Sequence, residues 1–303
     1  MTALTERTAA GGPARTATAV LAPRGWGDLV RRFLRHQPLG VAGLAIVLAM
    51  IVSAALADWI APYDYLQTRY DAIMQAPTWA HWMGTDSFGR DVLSRILFGA
   101  RTALTVGFVS SLVGATLGLL IGVASAYFAG RIDLYVQRFL DVLLAFPLII
   151  LALAIVSIFG TGTLNVTLAI TIPMVPRCAM VVRSSALAIR TLPYVDAARA
   201  LGLTHTRIIV RHMLPNVMAP YLIMLTAFMG QAILLEASLS FLGLGVQEPV
   251  PAWGLMLQGG AESYAERAPW MAIFPGLAIT LSVLAFNLFG DALRDVLDPK
   301  MRV

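Results

Sequence analysis

Lysine is almost missing from this chain. Of its 22 basic residues, 21 are arginine, and Lys300 stands alone near the end of 303 residues. A Walker A loop needs Gly-x-x-x-x-Gly-Lys-Ser/Thr, with the lysine reaching the phosphates. Lys300 has no glycine run before it and is followed by Met301, so the chain is not a P-loop ATPase. Cysteine is nearly absent too. The lone Cys178, in an apolar run, excludes an internal disulfide and a cysteine-based metal site. Four histidines, His36, His81, His205 and His212, are scattered and read as polar surface residues rather than ligands. Charge itself is scarce, at 13% of residues against about 25% in soluble domains. There is no carboxylate pair, nucleophile–base pair or metal cluster with a recognisable spacing. The reading is therefore no enzyme and no cofactor of its own.

What fills the chain is apolar sequence. Hydrophobic residues make up 58% and the mean hydropathy is +0.76, as in an all-α polytopic membrane protein. A span needs about 20 apolar residues. Six runs qualify: Leu39–Ala57, Ala103–Tyr127, Val142–Phe159, Leu164–Val182, Val217–Gly243 and Trp270–Phe289. The first ends in Ala55-Leu56-Ala57, similar to a signal-peptidase site, but 38 residues precede the run and more spans follow, so it reads as an uncleaved first helix. Gly114, Gly118 and Gly122 recur every four residues in the second run, a small-residue stripe for close helix packing. Pro173 and Pro176 predict a kink in the fourth.

Placement of charge sets the orientation. With the N-terminus inside, the inner segments carry 17 basic residues and the outer ones 5, which satisfies the positive-inside rule. Both termini are then cytoplasmic. The divisions are a cytoplasmic segment 1–38, a first transmembrane helix 39–60, an external loop 61–102, a core 103–290 containing a cytoplasmic loop 183–216, and a cytoplasmic tail 291–303. Gly25 to His36 has apolar residues spaced for one helix face; it reads either as an interfacial helix or as a plain basic flank.

Three ionisable residues lie in or beside the spans. Arg177 reads as snorkelling to the inner surface. Asp141 reads as the partner of Arg138 at i, i+3. Glu236 reads either as lining a path or as pairing with another helix or subunit. In the external loop, Gly84-Thr85-Asp86-Ser87-Phe88-Gly89-Arg90-Asp91 predicts a turn and helix start, capped by Asp86 or Thr85, with Asp91 and Arg95 paired at i, i+4. The outer stretch 244–269 holds Glu248, Glu262 and Glu266 against Arg267 and is stiffened by Pro249 and Pro251; it reads as an ordered connector or a contact surface.

The long charged interruption in the C-terminal two-thirds organises the rest. Tyr194 to Leu201 makes two helical turns, Gly202 is a natural left-handed C′ residue, and Thr204 starts a second short helix running to Met213 before Pro215. The spacing Asp196-Ala197-Ala198, then Gly202, then Leu214-Pro215 resembles the EAA loop of ABC-importer permeases. Asp196 stands where that consensus has Glu, and His212 where it has Ile. The stretch from Gly84 to Asp91, Leu239-Ser240-Phe241-Leu242-Gly243-Leu244-Gly245 and Phe286 to Pro299 resemble the dipeptide/oligopeptide/nickel branch. The resemblance implies six transmembrane helices with a type I ABC-importer permease-like core in a bacterial inner membrane. It implies ATPase docking at Asp196, Ala197, Ala198, Gly202, Leu214 and Pro215, with Glu236 a possible translocation-path residue. The implied partners are a homologous permease subunit, two ABC ATPase subunits that bind the ATP, an extracytoplasmic solute-binding protein and membrane lipid. The implied cargo is a dipeptide or oligopeptide; nickel and glutathione permeases are the alternative within the branch.

Two other classes stay in view. Ala197 to Thr204 also resembles a DNA-binding helix-turn-helix, but apolar runs begin within a few residues on each side and leave no room for a third helix, so no nucleic acid is expected. A self-sufficient secondary transporter would show internal repeats and midplane ion-coupling charges; neither is found.

Overall fold

The computed structural model describes residues 33–263 and 266–297; most of the Gly25–His36 stretch and the tail beyond 297 lie outside them. Among the described residues the regular structure is helical, with an irregular stretch over 61–91 and another over 242–252. We number the main helices α1 Pro38–Ala55, α2 Val92–Phe128, α3 Gly130–Leu144, α4 Leu148–Phe159, α5 Thr163–Arg190, α6 Pro193–Ala200, α7 His205–Ile208, α8 Met218–Phe241, α9 Trp253–Ser263 and α10 Trp270–Leu297.

Five continuous helical stretches are long and apolar enough to cross a bilayer, and a bent pair makes the sixth. That pair corrects one expectation. The run Val142–Phe159 is not one helix: α3 and α4 meet at 88° across Ala145–Pro147. Pro147 lacks an N–H and disfavours helix at Phe146. The apolar residues therefore divide between two helices, and α4 alone is about 18 Å long. The paired prolines of α5 behave differently, since the helix runs on through Pro173 and Pro176.

The longest helix, α2, begins eleven residues before the apolar run. Asp91 caps it by accepting from the Ser94 amide (2.8 Å) and hydroxyl (2.7 Å). Neither Thr85 nor Asp86 is the cap. The dominant helix pair is α2 with α5, and the small-residue stripe makes it possible. A Cβ added at Gly118 would stand 2.6 Å from the Cys178 Cβ, and one at Gly122 would stand 2.5 Å from the Ala179 carbonyl oxygen. Such backbone approach is how small residues serve membrane helices, where apolar burial drives little association. One apolar core joins α2, α4, α5 and α8 to the undersides of α6 and α7. A second joins α1, α8, α9 and α10 to the N-terminal part of α2 through Val47, Met50, Ile233, Trp253 and Phe286. Outside both, α1 shows Leu48, Ile51 and Val52 to the surroundings, as a lipid-facing helix does.

Candidate functional site

At one end, residues 193–217 form a two-helix knob. α6 starts with Pro193 at its first position, where a missing N–H costs nothing. It ends in a Schellman turn. The Leu203 amide donates to the Ala198 carbonyl (3.2 Å) and the Gly202 amide to the Arg199 carbonyl (2.9 Å), with Gly202 at φ +74°. This is the left-handed glycine that the spacing predicts. The second helix departs from expectation. It starts after an extended Thr204 whose side chain makes no capping bond. It is regular only to Ile208, then widens to a π turn over Ile209–Met213 and a 3₁₀ turn over Leu214–Val217. Pro215 supplies the cause, because it has no N–H to donate to the Arg211 carbonyl and its ring crowds that carbonyl.

The knob has two faces. Val195, Ala198, Ile208, Met213 and Val217 are buried in the main core. Asp196, Ala197, Ala200, Gly202 and Thr206 are exposed, and Leu201 is 81% exposed. Of the six predicted docking residues, Asp196, Ala197, Gly202 and Pro215 are on the exposed surface; Leu214 is half-buried and Ala198 points inward. Among the described residues Asp196 pairs with Arg199, one helical turn away, at 3.1 Å. Space around Gly202 is open: an added Cβ would meet nothing within 4 Å.

The knob is tied to the end of α2 by a contact that the sequence does not announce. The Tyr127 hydroxyl lies 2.7 Å from His205 Nδ1, and the Arg199 guanidinium sits over the Tyr127 ring, 5.3 Å from its centre. Nearby, Arg183 of α5 forms a bidentate pair with Asp133 of α3, whose carboxylate also accepts from Ser125 of α2. Asp141 and Arg138 do pair, loosely and at the surface, at 3.8 Å.

At the opposite end, charge is knotted rather than exposed. Asp86 accepts from the Phe88 and Arg90 amides (2.8 and 2.9 Å) and from Arg90 Nε (2.6 Å). Arg90 Nη1 then donates to Glu248 at 2.8 Å, and Arg95, only 1% exposed on its side chain, donates to the same carboxylate at 3.0 Å. Arg95 therefore pairs with Glu248, and with Asp86 at 3.9 Å, not with Asp91. Asp91 is occupied by the helix cap and by His81 at 2.9 Å. That contact buries His81 to 3% exposure, which corrects its reading as a surface residue. Partial burial pushes the Glu248 carboxyl up, and Arg90 and Arg95 outweigh it, holding the group below its ordinary range. Opposite charges in two distant outer segments were the available signal for this clasp, but no local spacing links Arg90 and Arg95 to a residue more than 150 positions away.

Glu236 lies 1% exposed near the end of α8. Its Oε1 accepts from the Ser240 hydroxyl (2.7 Å), which in turn accepts from the Val246 amide (3.2 Å). Within this chain it fastens the turn after α8. Among the described residues no group of three or more His, Cys, Asp or Glu could hold a metal ion.

Both the sequence and the fold have known counterparts. Residues 114–303 match the family described as the binding-protein-dependent transport system inner membrane component. This chain belongs to that family. Residues 26–77 also match the N-terminal transmembrane domain of oligopeptide transport permease C. The glutathione transport system permease protein of Pectobacterium atrosepticum is 45% identical over 280 residues, covering 91% of this chain and 92% of that protein. The dipeptide transport system permease protein of Alkalihalophilus pseudofirmus is 42% identical over 269 residues, covering 89% and 88%. Among solved structures, a chain of the MetNI methionine ABC transporter in an inward-facing conformation superposes with a TM-score of 0.56 at 20% identity, covering 67% of this chain and 97% of that chain; at that identity the likeness speaks for the fold. The chain is thus a multi-pass inner-membrane permease subunit of an ABC importer, not its ATPase, and works with ATPase and binding-protein partners.

Proposed function

We propose that this permease forms half of a translocation pathway for dipeptides or oligopeptides. A second, similar permease supplies the other half. Two ATPase chains bind from the cytoplasm, a solute-binding protein delivers cargo from outside, and both termini are cytoplasmic. The observation that carries this reading is the two-faced knob: an underside fastened into the core and an upper side left open around Leu201 and Gly202. An apolar side chain this exposed, held outside the spans, suits insertion into a partner's groove. The relatives named for peptides, a dipeptide and glutathione support the cargo class; glutathione is the second reading, on the same grounds.

Orientation and cargo are tested separately. Cysteine placed at Trp79, 97% exposed, should react with an impermeant reagent from outside, and cysteine at Thr206 only after permeabilisation. The reverse pattern would remove the docking argument. Reconstituted with its partner chains, the transporter should accumulate labelled dipeptide in an ATP-dependent way; ATP-dependent uptake of glutathione without dipeptide would decide for the second reading.

A further inference from the structure

Arg177 lies within a candidate span, on α5, and has no ion-pair or hydrogen-bond partner among the described residues. Helix α5 begins at Thr163, immediately after the turn that closes α4. Counting inward from Leu164, about 30 Å of hydrocarbon takes about 20 residues. The inner edge then falls near residues 183–184, where Arg183 meets Asp133. Arg177 lies about 10 Å short of that edge, nearly two helical turns; any tilt of the helix places it deeper. Snorkelling serves residues near helix ends. Yet Arg177 is half-buried, and it makes no ion pair or hydrogen bond with any described residue.

Its surroundings open at the same depth. Ile170 and Pro173, on the same stripe of α5, are buried, whereas Val181, Ser184 and Ala188, further along that stripe, are exposed. Helix α4 packs on α5 and stops at Leu148, about 17 Å inward from Phe159, while Arg177 is about 21 Å inward from Thr163. The corner Ala145–Pro147, exposed and non-helical, is therefore level with Arg177. Broken backbone inside the hydrocarbon region is tolerated only against protein or water, and an arginine there carries the same demand.

We propose that Arg177 and the α3–α4 corner border a water-filled stretch of the translocation path, and that the Arg177 guanidinium receives the terminal carboxylate of the cargo. A guanidinium matches a carboxylate bidentately, and a passing carboxylate would need a cation at this depth. The inference rests on the peptide reading above.

The test uses the assembled transporter in vesicles, with Cys178→Ala removing the native thiol. Arg177→Cys should react with a charged, membrane-impermeant methanethiosulfonate, because the path holds water. Arg177→Gln should lower dipeptide uptake at least tenfold with the partner subunits still copurifying, and Arg177→Lys should recover most of it. An unreactive Arg177→Cys, or wild-type uptake by Arg177→Gln, would overturn the proposal. So would loss of the second permease from the Arg177→Gln complex, which would make an acid of that subunit the partner. If the wild-type transporter carries no peptide while Arg177→Cys reacts, the cargo reading and the carboxylate assignment fall together, and the water-lined placement stands.

Discussion

The two ends of this molecule handle charge in opposite ways. At one end, Asp86, Arg90, Arg95 and Glu248 pair with one another and lock residues 84–95 onto the turn after α8. At the other end, the knob carries the surface pair Asp196–Arg199 and is held from beneath by Val195, Ile208 and Met213. The clasp is a fastening. The knob is a surface. Apolar anchoring leaves an upper face free for another chain, whereas interlocked charges leave little for a partner to engage. A partner gripping the knob can also pull on α2 directly, through His205 and Tyr127.

The largest effect should come from cutting the fastening. Arg95→Ala leaves the half-exposed Glu248 carboxylate with one cation and removes a buried side chain, and losing such a charge-assisted hydrogen bond costs about 1.5–3 kcal/mol. We expect markedly faster proteolysis of the external segments in purified protein, with cysteine at Thr206 still labelled from the inside. Unchanged proteolysis would show that the clasp is dispensable.

A pair of variants then separates the knob's faces. Val195→Ala removes two buried methyl groups and should cost about 2 kcal/mol of local stability, read as increased amide exchange over 193–203. Leu201→Ala removes a side chain that is 81% exposed, so exchange should stay within about 0.5 kcal/mol of wild type while ATPase copurification falls at least tenfold. If both variants lose the ATPase only in proportion to their instability, the upper face is not a docking surface.

Much of this contrast was legible from the residues. The knob could be read because its signals are local: Asp196-Ala197-Ala198 with Gly202 four residues on encodes a helix and its stop within one short stretch. The left-handed Gly202 and the close packing at Gly118 follow from chemistry that neighbours cannot change. The clasp was hidden for the converse reason. At Arg95 the local i, i+4 rule favoured Asp91, but Asp91 is held by Ser94 and His81, and the fold brings Glu248 to Arg95 instead. The run Val142–Phe159 misled by composition, since hydropathy sums across Pro147 whereas a helix does not.

The smallest expected change in the knob is Asp196→Ala. An exposed i, i+3 pair contributes about 0.3–0.5 kcal/mol, so stability should hardly move. ATPase binding should weaken severalfold and transport should persist at a reduced rate. Complete loss of uptake would place Asp196 in a closer role than a rim charge.

The central claim is that the shape of the knob, not its charge, couples this subunit to its ATPase, and Gly202→Val tests it most directly. The added side chain meets open space, so its cost comes from backbone strain at φ +74° alone, about 1–3 kcal/mol. The spans do not depend on that turn. Copurification of the ATPase with Gly202→Val, measured beside membrane insertion and uptake, should show normal insertion, at least tenfold less ATPase and no transport. Normal ATPase binding and normal uptake would show that residues 193–217 are a plain connector, and would contradict the account.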